Sequence, residues 1–238
     1  MCGIVGYVGK RNCVDILLDG LKRLEYRGYD SAGIAVMEDH HLHCIKERGK
    51  VSTLEKKIAS EWPEWKKQDC HLGIAHTRWA THGAPSCANS HPHLDSSRRF
   101  AIVHNGIVEN YAVLKARLIE RGHKFDSETD SEVIANLISE CYDGDIFAAT
   151  AAALRQIVGT FGLAVISLEQ PDTLIVARRG SPIVIGVGAD ENLVASDIAA
   201  LVAYTQRVIF LNDDDIALIN SERIDIRNID NVTVAREI

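Results

Sequence analysis

The sequence predicts a single α+β domain, and three observations carry that prediction. Helix-spaced apolar segments interrupt apolar strand runs before Phe161, and from Phe161 onward the pattern is almost entirely strand. No linker, low-complexity stretch or internal repeat divides the 238 residues. A chain of that length forms one large domain or two small ones, and it buries roughly 70–75% of its unfolded surface, so it needs no staples.

The elements follow in order. "GIVGYV" reads as a strand beginning almost at the terminus. "CVDILLDGLKRLEYRG" has Leu17, Leu21 and Leu24 at helical spacing, with Gly28 as its expected stop. "AGIAVM" and "HLHCIKE" read as two strands joined by a turn at Glu38–His41, and "STLEKKIASEW" as a short helix ending near Pro63. "HLGIAHTRW" and "RFAIVHNG" read as buried strands, and "NYAVLKARLIERG" as a helix closed by Gly122. In "SETDSEVIANLISEC", Thr129 followed three residues on by Glu132 predicts a capping box opening a helix. "DIFAATAAALRQIVG" is the last helix expected. The strands "FGLAVISL", "TLIVARR", "IVIGVG", "NLVAS", "RVIFL", "DIALI" and "RIDIRN" follow it.

Composition narrows the function. The hydrophobic fraction of 46% and charged fraction of 25% are those of an ordinary soluble globular protein. A net charge of −7 argues against nucleic acid or an anionic membrane as a partner, because both need basic surface. The six cysteines form no C-x-x-C pair and are scattered, which predicts reduced thiols in a cytoplasmic protein. No secretory leader is expected from "MCGIVGYVGKRN", and no apolar run approaches the ~20 residues of a membrane span.

Five stretches place polar residues and glycines within or beside buried-looking strands: "CGIVG", "LEYRGYDSAG", "HTRWATHG", "HNGIVEN" and "SETDSE". Cys2 stands behind only the initiator Met, and trimming of Met1 would leave a thiol and a free α-amine on one residue. With reference pKa values of roughly 7.7–8.0 for the amine and 8.5 for the thiol, the amine can take the thiol's proton near neutral pH. A water would relay it, and no histidine base is then required. If Met1 stays, that nitrogen is an amide and the base is lost. The plainer reading is a chance cysteine in a frayed end, which the strand directly after it weakens. Asn105-Gly106 is a common turn pair, yet it also offers two neutral hydrogen-bond donors, one needing no side chain. Arg78 is either a surface ion-pair partner or a planar fork for a carboxylate, and Trp79 is either core or gate. Asp130 is expected in the first turn of its helix, where the helix dipole favours a carboxylate whatever else it does. His91 and His93 in "HPH" lack a convincing third metal ligand, and "GVGADE" lacks the third glycine of a dinucleotide loop.

Together, in this order, the five stretches resemble the glutaminase domain of the glucosamine-6-phosphate synthases, a branch of the class II glutamine amidotransferases, which are N-terminal-nucleophile hydrolases. The resemblance spans essentially the whole chain, with "YRGYDSAG" and "HTRWATHG" pointing to that branch. It implies a four-layer αββα sandwich over residues 2–238, with the sugar isomerase domains lying outside this chain. It implies L-glutamine as substrate and a Cys2 thioester, with Asn105 and Gly106 as oxyanion donors. It also implies Arg78 on the substrate carboxylate, supported by Thr81 and His82, and Asp130 on the substrate ammonium. Trp79 would gate ammonia towards the isomerase, and Arg27 would support the site. No cofactor or metal is implied, and the full-length protein is expected to be a cytoplasmic homodimer converting fructose 6-phosphate to glucosamine 6-phosphate. A purine-pathway amidotransferase domain and a non-catalytic glutamine sensor are the alternatives.

Overall fold

The computed structural model describes residues 2–79 and 84–238. Two antiparallel sheets form its centre. The first has seven strands, ordered β11 (Val208–Phe210), β9 (Val184–Val187), β10 (Glu191–Ala195), β1 (Gly3–Gly9), β4 (Leu72–Arg78), β2 (Ser31–Glu38) and β3 (His41–Arg48). The second has six, ordered β13 (Ile224–Asn228), β12 (Asp215–Ile219), β8 (Gln170–Arg179), β7 (Gly159–Ser167), β6 (Phe100–Val108) and β5 (His93–Leu94). Helices α1 (Cys13–Leu24) and α2 (Val51–Glu61) cover the outer face of the first sheet. Helices α3 (Tyr111–Glu120), α4 (Glu132–Cys141) and α5 (Ile146–Leu154) cover the outer face of the second. This is the four-layer αββα sandwich.

The alternation of side chains assigns each strand residue to a layer. On β1, Val5 and Tyr7 pack under the helices while Ile4 and Val8 point into the space between the sheets. On β6, Phe100 and Ile102 face helices α4 and α5, and Ala101 and Val103 face the other sheet. Both faces of the central strands of both sheets are therefore dry. Antiparallel strands commonly leave one face in water and alternate apolar with polar residues. These cannot, and the sequence shows near-continuous apolar runs instead.

Three local expectations need correcting. The α1 helix ends at Leu24 and continues as a 3₁₀ turn over Glu25–Arg27, with Gly28 extended at φ 176° rather than left-handed. The capping box does not form: the N-cap of α4 is Ser131, and the Thr129 hydroxyl pairs with His93 and Ser127. Glu132 does reach back, but to the backbone N–H groups of Asp126 and Ser127 and the Ser127 hydroxyl. Asp130 thus precedes the helix rather than occupying its first turn.

Candidate active site

Strand pairing brings the distant motifs together. Gly3 on β1 lies opposite Thr77 on β4, which sets Cys2, just before β1, beside Arg78 and Trp79 at the end of β4. The Trp79 N–H donates to Cys2 Sγ at 3.2 Å, and the thiol faces the Trp79 carbonyl at 3.6 Å. Burial pushes the Cys2 thiol up, against the Trp79 N–H and the Arg78 charge that favour the thiolate. At neutral pH this sulfur is a thiol and needs a base to become a nucleophile.

The second sheet supplies the facing wall. Asn105 and Gly106 lie within β6, paired with Gly162 and Phe161, so the Asn-Gly pair is not a turn. Gly106 has φ +141°, and a Cβ there would stand 2.1 Å from the Thr160 carbonyl oxygen. Only glycine fits. The Asn105 side chain is held at both ends: Oδ1 accepts from His76 Nε2 at 2.9 Å, and Nδ2 donates to the Cys2 carbonyl at 3.2 Å. His76 is fully buried, and desolvation pushes its pKa down to about 3. It is therefore a neutral donor that fixes which way the Asn105 amide points.

Cys2, Arg78, Trp79, Asn105, Gly106 and Asp130 line one cleft of about 30 Å³. That is space for only a water or two, since a water needs ~10–15 Å³ by this measure, so whole glutamine requires the cleft to widen. Arg78 is 4% exposed at the end of β4. Burial lowers its pKa, while Cys2, Asp30 and Asp130 favour its charge. Asp130 Oδ2 accepts the Val108 N–H at 2.7 Å, which ties the approach to α4 to the end of β6. Trp79 is 46% exposed and meets Tyr29 edge to face at 5.7 Å, so it is not a core residue. Arg27 lies outside the cleft, its guanidinium 2.6 Å from Asp197, whose carboxylate caps the 3₁₀ turn Ile198–Ala200. Thr81 and His82 fall outside the described residues.

The sequence reading missed three histidines of this site: His76, His104 and, in this role, His91. His104 bridges the Ser131 hydroxyl at 2.8 Å and the Thr160 carbonyl at 3.2 Å, and so links β6 to the start of α4. His91 lines the cleft, its ring 4.2 Å from that of His76. Among the described residues no group of three His, Cys, Asp or Glu side chains is arranged to hold a metal ion.

Residues 76–203, more than half of the chain, match the family described as glutamine amidotransferase domain. The chain belongs to the glutamine amidotransferase family. The domain is 49% identical over 237 residues to the glutamine–fructose-6-phosphate aminotransferase (isomerizing) of Thermus thermophilus, and 46% identical over 239 residues to that of Aquifex aeolicus. Both alignments cover all of this chain, which spans 38% and 39% of those relatives' lengths. Among solved structures, the B. subtilis glutamine phosphoribosylpyrophosphate amidotransferase superposes with a TM-score of 0.81 at 25% identity, over 96% of this chain and 49% of that one. The fold is thus that of the class II amidotransferases, which are N-terminal-nucleophile hydrolases. No helix among the described residues is long and apolar enough to cross a membrane.

Proposed function

We propose that residues 2–238 form one glutaminase domain that hydrolyses L-glutamine to glutamate and ammonia through a thioester on Cys2. The observation that carries the reading is the convergence on one cleft of Cys2 and Arg78, at the ends of β1 and β4 in one sheet, Asn105 of β6 in the other, and Asp130 before α4. After removal of Met1, the freed α-amine takes the Cys2 proton through a water. The thiolate attacks the side-chain amide carbon of glutamine. Negative charge develops on the amide oxygen, where the Asn105 Nδ2–H and Gly106 N–H stabilise it as neutral, preorganised donors. The C–N bond breaks, the α-ammonium returns its proton to the departing nitrogen, and ammonia leaves. Water then attacks the thioester with the same amine as base, releasing glutamate and restoring the thiol.

Arg78 pairs with the substrate α-carboxylate and Asp130 with its α-ammonium, an assignment supported by their joint burial in the cleft. Thr81 and His82 assist Arg78. Arg27 holds the 25–28 turn against Asp197, and Gly28 lets that turn lie on the Arg78–Trp79 backbone, where a Cβ would meet backbone carbon at 2.8 Å.

In the full-length protein the ammonia converts fructose 6-phosphate to glucosamine 6-phosphate on a C-terminal sugar isomerase domain, in a cytoplasmic homodimer. The names of the relatives at 46–49% identity support this acceptor over the purine-pathway one, whose structural counterpart is 25% identical. Exposed Trp79 at the cleft, with exposed Tyr29 edge to face against it, suits a surface that another domain covers. The test is glutamate release from glutamine by wild-type and Cys2→Ala protein. Turnover that vanishes in the variant supports the proposal; binding without turnover in wild type makes this a sensor and overturns it.

A further inference from the structure

Two sheet edges meet on the far side of the His91–His93 segment. β3 is the edge of the seven-stranded sheet and β5 the edge of the six-stranded one. Between them lies a cavity of about 300 Å³, ten times the volume of the catalytic cleft. Cys44 and Lys46 of β3, Cys87, His93 of β5, Arg98 and Glu132 line it.

Its lining carries two cations, Lys46 and Arg98, and two carboxylates, Asp126 and Glu132. Among the described residues neither Lys46 nor Arg98 makes an ion pair, and the one hydrogen bond of Lys46 Nζ is a long contact of 3.4 Å to the Ala88 carbonyl. The Glu132 carboxylate in the same wall is engaged by the N–H groups of Asp126 and Ser127 and the Ser127 hydroxyl. Asp126 is exposed at the rim. Burial lowers the Lys46 pKa even though Glu132 and Asp126 favour its charge. Arg98 has left-handed backbone at φ +59°, in a turn fixed by the Asp95 carboxylate, which accepts the N–H groups of Ser97, Arg99 and Phe100. Arg98 is exposed, and it lines the same cavity as Lys46.

We propose that this cavity binds a small anionic metabolite through a phosphate or carboxylate head held between Lys46 and Arg98. A guanidinium fork takes two oxygens and an ammonium a third. The site is separate from the glutamine cleft but backs onto it. His93 Nε2 lies 3.0 Å from the Thr129 hydroxyl, and Thr129 lines the catalytic cleft. The His93 ring also meets that of His91, which lines the cleft too, at 4.5 Å. The inference does not depend on the role given to Cys2.

Cys44 and Cys87 in the cavity wall serve as reporters. Their alkylation by iodoacetamide, read by peptide mass spectrometry, is followed while inorganic phosphate or citrate is titrated in at constant ionic strength set with chloride. The expected result is saturable protection of these two thiols, with a midpoint on the order of millimolar for at least one of the anions. Lys46→Met keeps the aliphatic stem, and Arg98→Asn suits left-handed backbone. Each should raise the midpoint about tenfold by removing one charged donor. Calorimetric titration of wild type decides the matter if Lys46→Met fails to fold. No saturable binding of either anion, or protection unchanged in Arg98→Asn, overturns the proposal.

Discussion

The Asn105 amide has both ends spoken for by residues of the other sheet, His76 and Cys2, and this makes it the best-defined donor in the cleft. If it stabilises charge that develops only in the transition state, its loss falls on kcat and leaves binding nearly untouched. Asn105→Ala should lower kcat about 10²–10³-fold while calorimetry shows near-normal glutamine binding, and Asn105→Asp should be at least as slow. A kcat within about threefold of wild type, far short of that range, would remove Asn105 from the mechanism. Asp130 has two duties, the Val108 N–H and the proposed substrate ammonium. Asp130→Asn separates them, because its carbonyl still accepts the backbone N–H while the charge is gone. Losing one partner of a buried charge pair costs about 2–5 kcal/mol, so KM for glutamine should rise roughly 30-fold or more with the melting temperature little changed. An unchanged KM with intact turnover would leave Asp130 structural only. Of these residues, Cys2, Asn105, Gly106 and Asp130 were legible because their types and motifs are local. His76 and His104 were not, because their partners Asn105 and Ser131 lie 29 and 27 residues away.

At the scale of elements, the strands after Phe161 were legible because each is a short apolar run bounded by turn residues. The helix starts were less so. The T-x-x-E signature before α4 reads as a capping box, yet tertiary partners capture both residues: His93 takes the Thr129 hydroxyl, and the 126–127 backbone takes the Glu132 carboxylate. Asn-Gly reads as a turn until β7 pairs across it, and that pairing joins residues 57 and 55 positions apart, Asn105 with Gly162 and Gly106 with Phe161. Glu132 is the tie that holds the segment carrying Asp130. Glu132→Ala takes the acceptor from the buried Ser127 N–H and hydroxyl and from the part-buried Asp126 N–H, at about 1–3 kcal/mol for a buried group left unsatisfied. Urea unfolding should show a loss of at least that size, and KM for glutamine should rise because Asp130 is no longer fixed. An unchanged midpoint would mean that the loop finds other acceptors and that Glu132 does not position it.

Across the whole molecule, the four layers bury His76, His91, His93 and His104 together behind the catalytic cleft, and desolvation pushes all four pKa values below the ordinary 6.5. In the unfolded chain each takes up a proton as the pH falls through about 6.5; in the folded protein His76 resists to about 3. The unfolded state then binds more protons, so stability is full above pH 6.5 and falls as the pH drops below it. The interval from 6.5 to 5 isolates the effect, because most carboxylates titrate lower. Thermal melts should show a steep decline there, and a flat melting temperature from pH 7.5 to 5 would contradict the buried-neutral reading. The same layering sets the thiols apart. Cys13 is fully buried with its pKa well above normal, and burial pushes Cys70 up to about 12, whereas Cys2 sits at the cleft with an N–H donor on its sulfur. The most direct test of the account is the site of labelling by a glutamine-shaped electrophile on protein whose intact mass shows Met1 removed. The account predicts one label per chain, on Cys2, with glutamine slowing its attachment. A label on Cys44, Cys87 or any other residue, with Cys2 unmodified and turnover abolished, would contradict it.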